Sequence, residues 1–337
     1  GKHLYIMGMN AQRLETSRLL QRFGFGPRPG EYAQAIKDGV EATRAKVLTV
    51  PANDAGAAKV VEPEITDLGK RPAANSKEIV PFSIALRNQT QQMTMWWLDR
   101  MAMSDHGLTE RMTWFWHGHW ATSIQKLNYA MPMFIQNKTL RANCLGNFKT
   151  MSRAMINDAA LQFWLDGQES TAKSPNENLG RELMELFVLG VGRYTEDDVK
   201  ASARALTGYQ VDKSSGTVTF NAKRYDANPV TILGKTQTFT GEALSDFLVA
   251  REDNATFISE RLWYRFISST EAMPANFSAK SAFAGRDISA AVKAMASDPA
   301  IRDSKNDLVK APVELIVWLK LKIEFPLISL QISFSTG

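Results

Sequence analysis

The apolar residues of this chain recur mostly at three- and four-residue spacing, the period of a helix that buries one face. Leu14, Leu19, Leu20 and Phe23 keep that spacing, and Phe23-Gly24-Phe25-Gly26-Pro27 ends it with residues suited to a left-handed cap and a break. A second helix is expected over 31–48, so residues 1–50 read as an N-terminal helical pair. Residues 51–80 begin rich in Pro, Ala, Asn and Asp and read as a loop or linker. Helical spacing then dominates 82–209. Within it, Thr195-Glu196-Asp197-Asp198 has the form of a capping box, opening a helix through Val199, Ala203 and Leu206 that stops at Gly208.

After Gly208 the period changes. Ser215-Gly216 separates two short runs, and Val230 to Leu233 adds a β-branched one, so a small β-hairpin insertion is expected at about 209–240. Helices resume over 242–249, 255–268 and 287–295. The apolar run 315–334 is interrupted by Lys320, Lys322, Glu324 and Pro326, and reads as a helix that loses its pattern toward a natural or truncated C-terminus. The expected fold is mainly α, a multi-helix globular bundle with a small β insertion. Residues 81–337 form its helical core, and the chain is one compact unit.

Composition narrows the function classes. With 337 residues, 44% hydrophobic and 22% charged, the chain has material for a large core, which excludes collagen-like, disordered and disulfide-stapled classes. Its 40 basic and 35 acidic residues leave +5, dispersed rather than clustered, so nucleic acid is not an expected partner. No run of about 18 apolar residues predicts a transmembrane helix, and the first residues lack the apolar core of a secretory signal. Calcium loops, phosphate-binding glycine loops and a Gly-x-Ser-x-Gly elbow are absent. With Cys144 the lone cysteine, a metal site would have to draw on histidine and carboxylate.

Five of the eight tryptophans (Trp96, Trp97, Trp114, Trp116, Trp120) and three of the four histidines fall within 93–120. Such a cluster is either a packed seam or a pocket wall, with Trp116 and Trp120 flanking His117-Gly118-His119. On a continuous helix two residues apart point about 200° apart. If the helix stops at His117 and Gly118 takes a left-handed cap, both rings turn toward one spot. They would then serve as paired metal ligands, as a general acid and base, or merely as capped histidines in an aromatic core. Farther on, Asn178, Glu182 and Glu185 share one sector of a helix over 176–190. Buried, these carboxylates would need a cation or a proton; exposed, they form a solvated stripe with Arg181 and Glu185 paired.

Leu19-Leu20-Gln21-Arg22-Phe23-Gly24-Phe25-Gly26, then Arg111-Met112-Thr113-Trp114-Phe115-Trp116-His117-Gly118-His119, then the segment from Asn176 through Arg181-Glu182-Leu183-Met184-Glu185-Leu186-Phe187 to Gly190, and Ala203-Arg204-Ala205-Leu206-Thr207-Gly208-Tyr209 together resemble the bacterial family called domain of unknown function eighteen-hundred (DUF1800). The resemblance covers most of the chain in order. It implies a largely helical, exported protein, often encoded beside a sulfatase-like partner, and it carries over no catalytic residue. Relatives commonly have histidine at the position of Arg18, His-Asp at Tyr225-Asp226, and Asn at Gly118. They are also longer, which implies a truncated C-terminus here.

Two functions follow as expectations. One is an exported enzyme whose aromatic-lined pocket combines His117 and His119 with Glu182 and Glu185. Asn178, Arg181, Asp226, Trp116 and Trp120 would contribute to binding, and a divalent transition metal held by His117 and His119, or an acid-base pair, would supply the chemistry. The other is a non-catalytic cell-envelope module that assembles with a sulfatase-like protein.

Overall fold

The computed structural model describes residues 2–322. Helix α1 (Lys2–Arg22) packs on α2 (Glu31–Asp38) and α3 (Val40–Leu48). The single helix expected over 31–48 is divided at Gly39, whose φ of 91° breaks the helical ladder where only glycine is unstrained. After the short α4 (Ala55–Ala58), residues 59–78 run without regular structure to α5 (Ile79–Met103), as the composition of this stretch predicts.

Next come α6 (Leu108–His119), α7 (Ile124–Leu127), α8 (Ala130–Asn143), α9 (Phe148–Ile156) and α10 (Ala159–Trp164). Helix α11 (Glu177–Glu182) leads into a π-helical segment, Leu183–Val188. The predicted capping box forms: the Thr195 side chain accepts from Asp198 N–H while the Asp198 carboxylate accepts from Thr195 N–H, opening α12 (Glu196–Ala205).

The β insertion is two separate antiparallel pairs. Strand β1 (Tyr209–Asp212) pairs with β2 (Thr217–Phe220) in the register Tyr209 to Phe220, and β3 (Val230–Ile232) pairs with β4 (Lys235–Gln237). Helices α13 (Gly241–Val249) and α14 (Glu252–Leu262) follow, the latter continued by a second π segment, Trp263–Ile267. Helices α15 (Ser278–Ala282), α16 (Ile288–Ser297) and α17 (Pro312–Lys322) complete the described chain. The rest of the apolar run expected to reach 334 lies outside the described residues.

The fold is thus mainly α, and one apolar core runs from Leu19 and Phe23 of α1 through α6, α9, both π segments and α16 to Ile301. Among the described residues no helix is long and apolar enough to cross a membrane.

Candidate functional site

Helix α6 carries the histidine motif, and its geometry corrects one expectation. Gly118 is helical rather than a left-handed cap: the helix continues through His119, Trp120 N–H donates to Trp116 O at 2.9 Å, and φ first turns positive at Ala121. The reason is packing. Trp116 and Trp120 are both 0% exposed, one turn apart on the face toward the core, and a break at Gly118 would withdraw Trp120 and His119 from it. Burying an indole outweighs the roughly 1 kcal/mol that glycine costs inside a helix. The two imidazoles therefore leave the helix in divergent directions.

His119 is 3% exposed and lies among Phe115, Trp116, Trp120, Phe148, Phe187 and Phe257. Its Nε2 sits 2.8 Å from the carbonyl oxygen of Phe187 and therefore carries the proton, leaving Nδ1 as a buried acceptor without a partner. Burial, reinforced by the charge of Arg261, pushes the imidazole down to about 3. His117 is half-buried on another side of the helix, edge-on to Trp97 with centroids 5.1 Å apart, and burial lowers it to about 4. Both rings are neutral near pH 7. The Trp97 indole in turn donates to Glu110, a buried carboxylate that also receives Arg100 and Arg141 at 2.6 and 2.7 Å.

The acidic helix meets α6 through its backbone. Phe187, which accepts from His119, lies in the π segment that follows Glu182 and contains Glu185. The carboxylates look elsewhere. Glu185 accepts from the Tyr194 hydroxyl at 2.6 Å; burial first, and then this bond, push the phenol up to about 12. Glu182 is half-buried with Oε2 lacking a hydrogen-bond partner, and burial, followed by repulsion from Glu185, raises its carboxyl. Arg181 pairs with Glu177 and Glu196 instead of the expected Glu185. Asn178 is exposed and reaches Asp166 at 3.4 Å. Asp226 accepts from Arg204 at 2.7 Å, which with Asn228 holds its carboxyl low.

Among the described residues, no hydrogen bond or ion pair joins any of these five side chains to either histidine. Nor do three His, Cys, Asp or Glu side chains converge as a metal would require, so the donor set for a divalent transition metal is not assembled. Trp116 and Trp120 serve the core: their indoles donate to Cys144 O at 3.0 Å and to Met151 Sδ at 3.4 Å. A cleft of about 530 Å³ lies elsewhere, lined by Leu48, Val50, Leu108, Leu145, Val292 and Lys293.

What the sequence did not reveal is how the two π segments end. A π turn bonds i to i+5, so its last carbonyls need partners from outside. In the first segment Phe187 O receives His119, Val188 O receives Asn254 Nδ2 at 2.8 Å, and Leu189 O just beyond receives Arg193 at 2.7 Å. In the second, Phe266 O and Ile267 O receive Arg22 at 3.2 and 2.9 Å. Arg18 donates to Ile301 O and Asp303 O, and the Tyr225 hydroxyl to Phe239 O at 2.8 Å. Arg18 and Tyr225 are thus committed to backbone carbonyls, and no hydrogen bond joins either side chain to His117 or His119 among the described residues.

A family model described as Protein of unknown function (DUF1800) matches residues 18–323. No curated protein and no solved structure matches the chain.

Proposed function

The chain belongs to the DUF1800 family of proteins of unknown function, and on that premise we propose that it acts as a non-catalytic binding and assembly module of the cell envelope, working with a sulfatase-like protein. The observation that carries this reading is the His119 to Phe187 contact. It commits the better-buried histidine of the motif, itself 3% exposed, to holding a helix end. A general base must reach the proton it takes, and a neutral imidazole pushed down to about 3 behind six aromatic rings is poorly placed for that. Export and the sulfatase-like partner belong to the proposal through the family resemblance.

Co-expression with a sulfatase-like protein encoded beside a family member tests it. A stable complex that survives His117→Ala with Glu182→Gln supports the module. Two folded proteins that elute separately at micromolar concentration refute it.

A second reading, proton transfer by Glu182 beside Glu185, is favoured by the orphaned Glu182 Oε2 and the raised carboxyl. Carbon-detected NMR titration decides it. Glu182 must titrate above the usual carboxylate range, and an ordinary value ends this reading.

A further inference from the structure

Among the described residues, most of the desolvated arginines are engaged by oxygen acceptors. Arg18 and Arg22 donate to backbone carbonyls, Arg111 pairs with Glu314, Arg141 holds Glu110 through two nitrogens, and Arg286 donates to the carbonyls of Val249 and Arg251. Arg261 forms no hydrogen bond or ion pair with them, whereas Arg224, whose Nε is likewise buried without a partner, still donates to Gln168 O. Arg261 stands in the last turn of α14, partly buried, with Nε shut away from solvent and without a hydrogen-bond partner. No carboxylate bears on it among the described residues; the charged neighbour that does is another cation, Arg265, one turn farther on in the π segment. Burying a guanidinium without a counter-charge is costly, and a like charge at i+4 adds to the cost.

The surroundings are arranged for a ligand rather than for a missing side chain. Phe257, one turn before Arg261 on α14, lies 6.0 Å from the His119 ring, whose Nδ1 is an acceptor buried without a partner while Nε2 is held by Phe187 O. An unpartnered donor and an unpartnered acceptor thus flank the contact between α14 and α6, and the charge of Arg261 bears on the imidazole. Arg265 is exposed and lies over the Tyr264 ring at 5.7 Å, four residues beyond Arg261. At the end of α6, next to His119, Gly118 is exposed with open space where a side chain would stand.

We propose that Arg261 in the last turn of α14 and Arg265 in the π segment that continues it form an oxyanion-binding site that takes a phosphate- or sulfate-type group. A tetrahedral dianion matches two neighbouring guanidinium forks and neutralises both, which a single carboxylate does less completely. Arg261 is the binding residue. This site stands apart from the partner reading, since a chain that forms its complex but binds no oxyanion refutes this inference alone.

The test is a nitrogen-15 NMR titration of the arginine Nε–H resonances in the full chain, at constant ionic strength. Inorganic phosphate and inorganic sulfate are the probes, with chloride as the control. Saturable shifts of the Arg261 Nε–H with phosphate or sulfate, weakened at least tenfold in Arg261→Gln and less in Arg265→Gln, are the expected result. Arg153→Gln, which removes an exposed arginine paired with Asp246, leaves the affinity unchanged. If Arg261→Gln does not fold, Arg261→Lys keeps the charge without the fork and replaces it. Shifts that track ionic strength without saturating, or equal affinity in the Arg261 variant, overturn the proposal. Preference between the two probes tells which group the site takes.

Discussion

Replacing His119 by Gln separates a structural histidine from a catalytic one, because glutamine keeps an N–H donor for Phe187 O but cannot titrate. In the folded chain the imidazole sits at about 3, whereas in the unfolded chain it has its ordinary value near 6.5. A base whose folded pKa is depressed leaves the unfolded state binding the extra proton, so stability is lost as pH falls from about 6.5 toward about 3. Between pH 7 and pH 5 the linkage integral for this one group is roughly 2 kcal/mol. Asp158, buried and raised to about 6 chiefly by desolvation, acts in the opposite sense. Its folded state holds a proton that the unfolded state has released, which returns about 1 kcal/mol over the same interval. That contribution is common to both proteins and cancels in the comparison. Urea unfolding followed by tryptophan fluorescence at pH 7 and pH 5 therefore gives a wild-type loss about 2 kcal/mol larger than that of His119→Gln. The variant is less stable at both pH values because it gives up contacts with aromatic rings; only the difference between the two pH values is diagnostic. Identical pH dependence in the two proteins would refute the buried, neutral assignment.

Asp158→Asn should behave as the mirror image. It accepts Leu161 N–H and Gln136 Nε2, both at 2.8 Å, and the variant should lose the part of the pH 5 to pH 7 profile in which stability falls as pH rises through about 6. Glu110→Gln leaves Arg100 and Arg141 facing an uncharged group in a site 1% exposed, and chemical denaturation should register a cost of about 3 kcal/mol or more. At Gly56 an added Cβ would fall on the Met103 carbonyl oxygen, so Gly56→Ala must push α4 off the end of α5. Proteolysis within 51–78 should then become faster than in wild type, and an unchanged rate would contradict the close approach.

The helices were legible where a long apolar face or a side-chain cap defines them. The Thr195 and Asp198 pair and the Ser215-Gly216 turn each act within a few residues, and each was read correctly. The division at Gly39 was not, because one glycine costs a helix little unless tertiary packing demands the turn. Gly118 failed in the opposite sense: its tolerance of positive φ is a local permission, and the burial of Trp116 and Trp120 overruled it. The π segments left no mark in the apolar spacing. They are defined by which distant groups meet their carbonyls, and Arg22, His119 and Asn254 are 244, 68 and 66 residues from the atoms they hold. Arg261 was invisible for the same reason, since a guanidinium draws notice only once its neighbours are known.

The three strongest motifs of the chain prove to be parts of one joint. Arg22 in the first holds the carbonyls of Phe266 and Ile267; His119 in the second holds that of Phe187, in the third; and Phe115, beside Trp116, packs at a tilt on Phe266 with centroids 5.5 Å apart. Asn254 of α14 closes the circuit on Val188. Helices α1, α6 and α14 and both π segments are therefore locked through carbonyls that cannot reach water, each costing about 1–3 kcal/mol if its donor is removed. A motif that recurs because it closes such a joint carries no implication of catalysis, which moves the search for function from the histidines to the groups the joint leaves unsatisfied, Glu182 and Arg261. A double-mutant cycle tests whether the joint is single. Arg22→Met and His119→Gln act on different π segments linked by α14 and Phe115, and a single joint requires a coupling energy above about 0.5 kcal/mol between them. Strict additivity would mean two independent helix ends, and the motifs would again need a functional explanation.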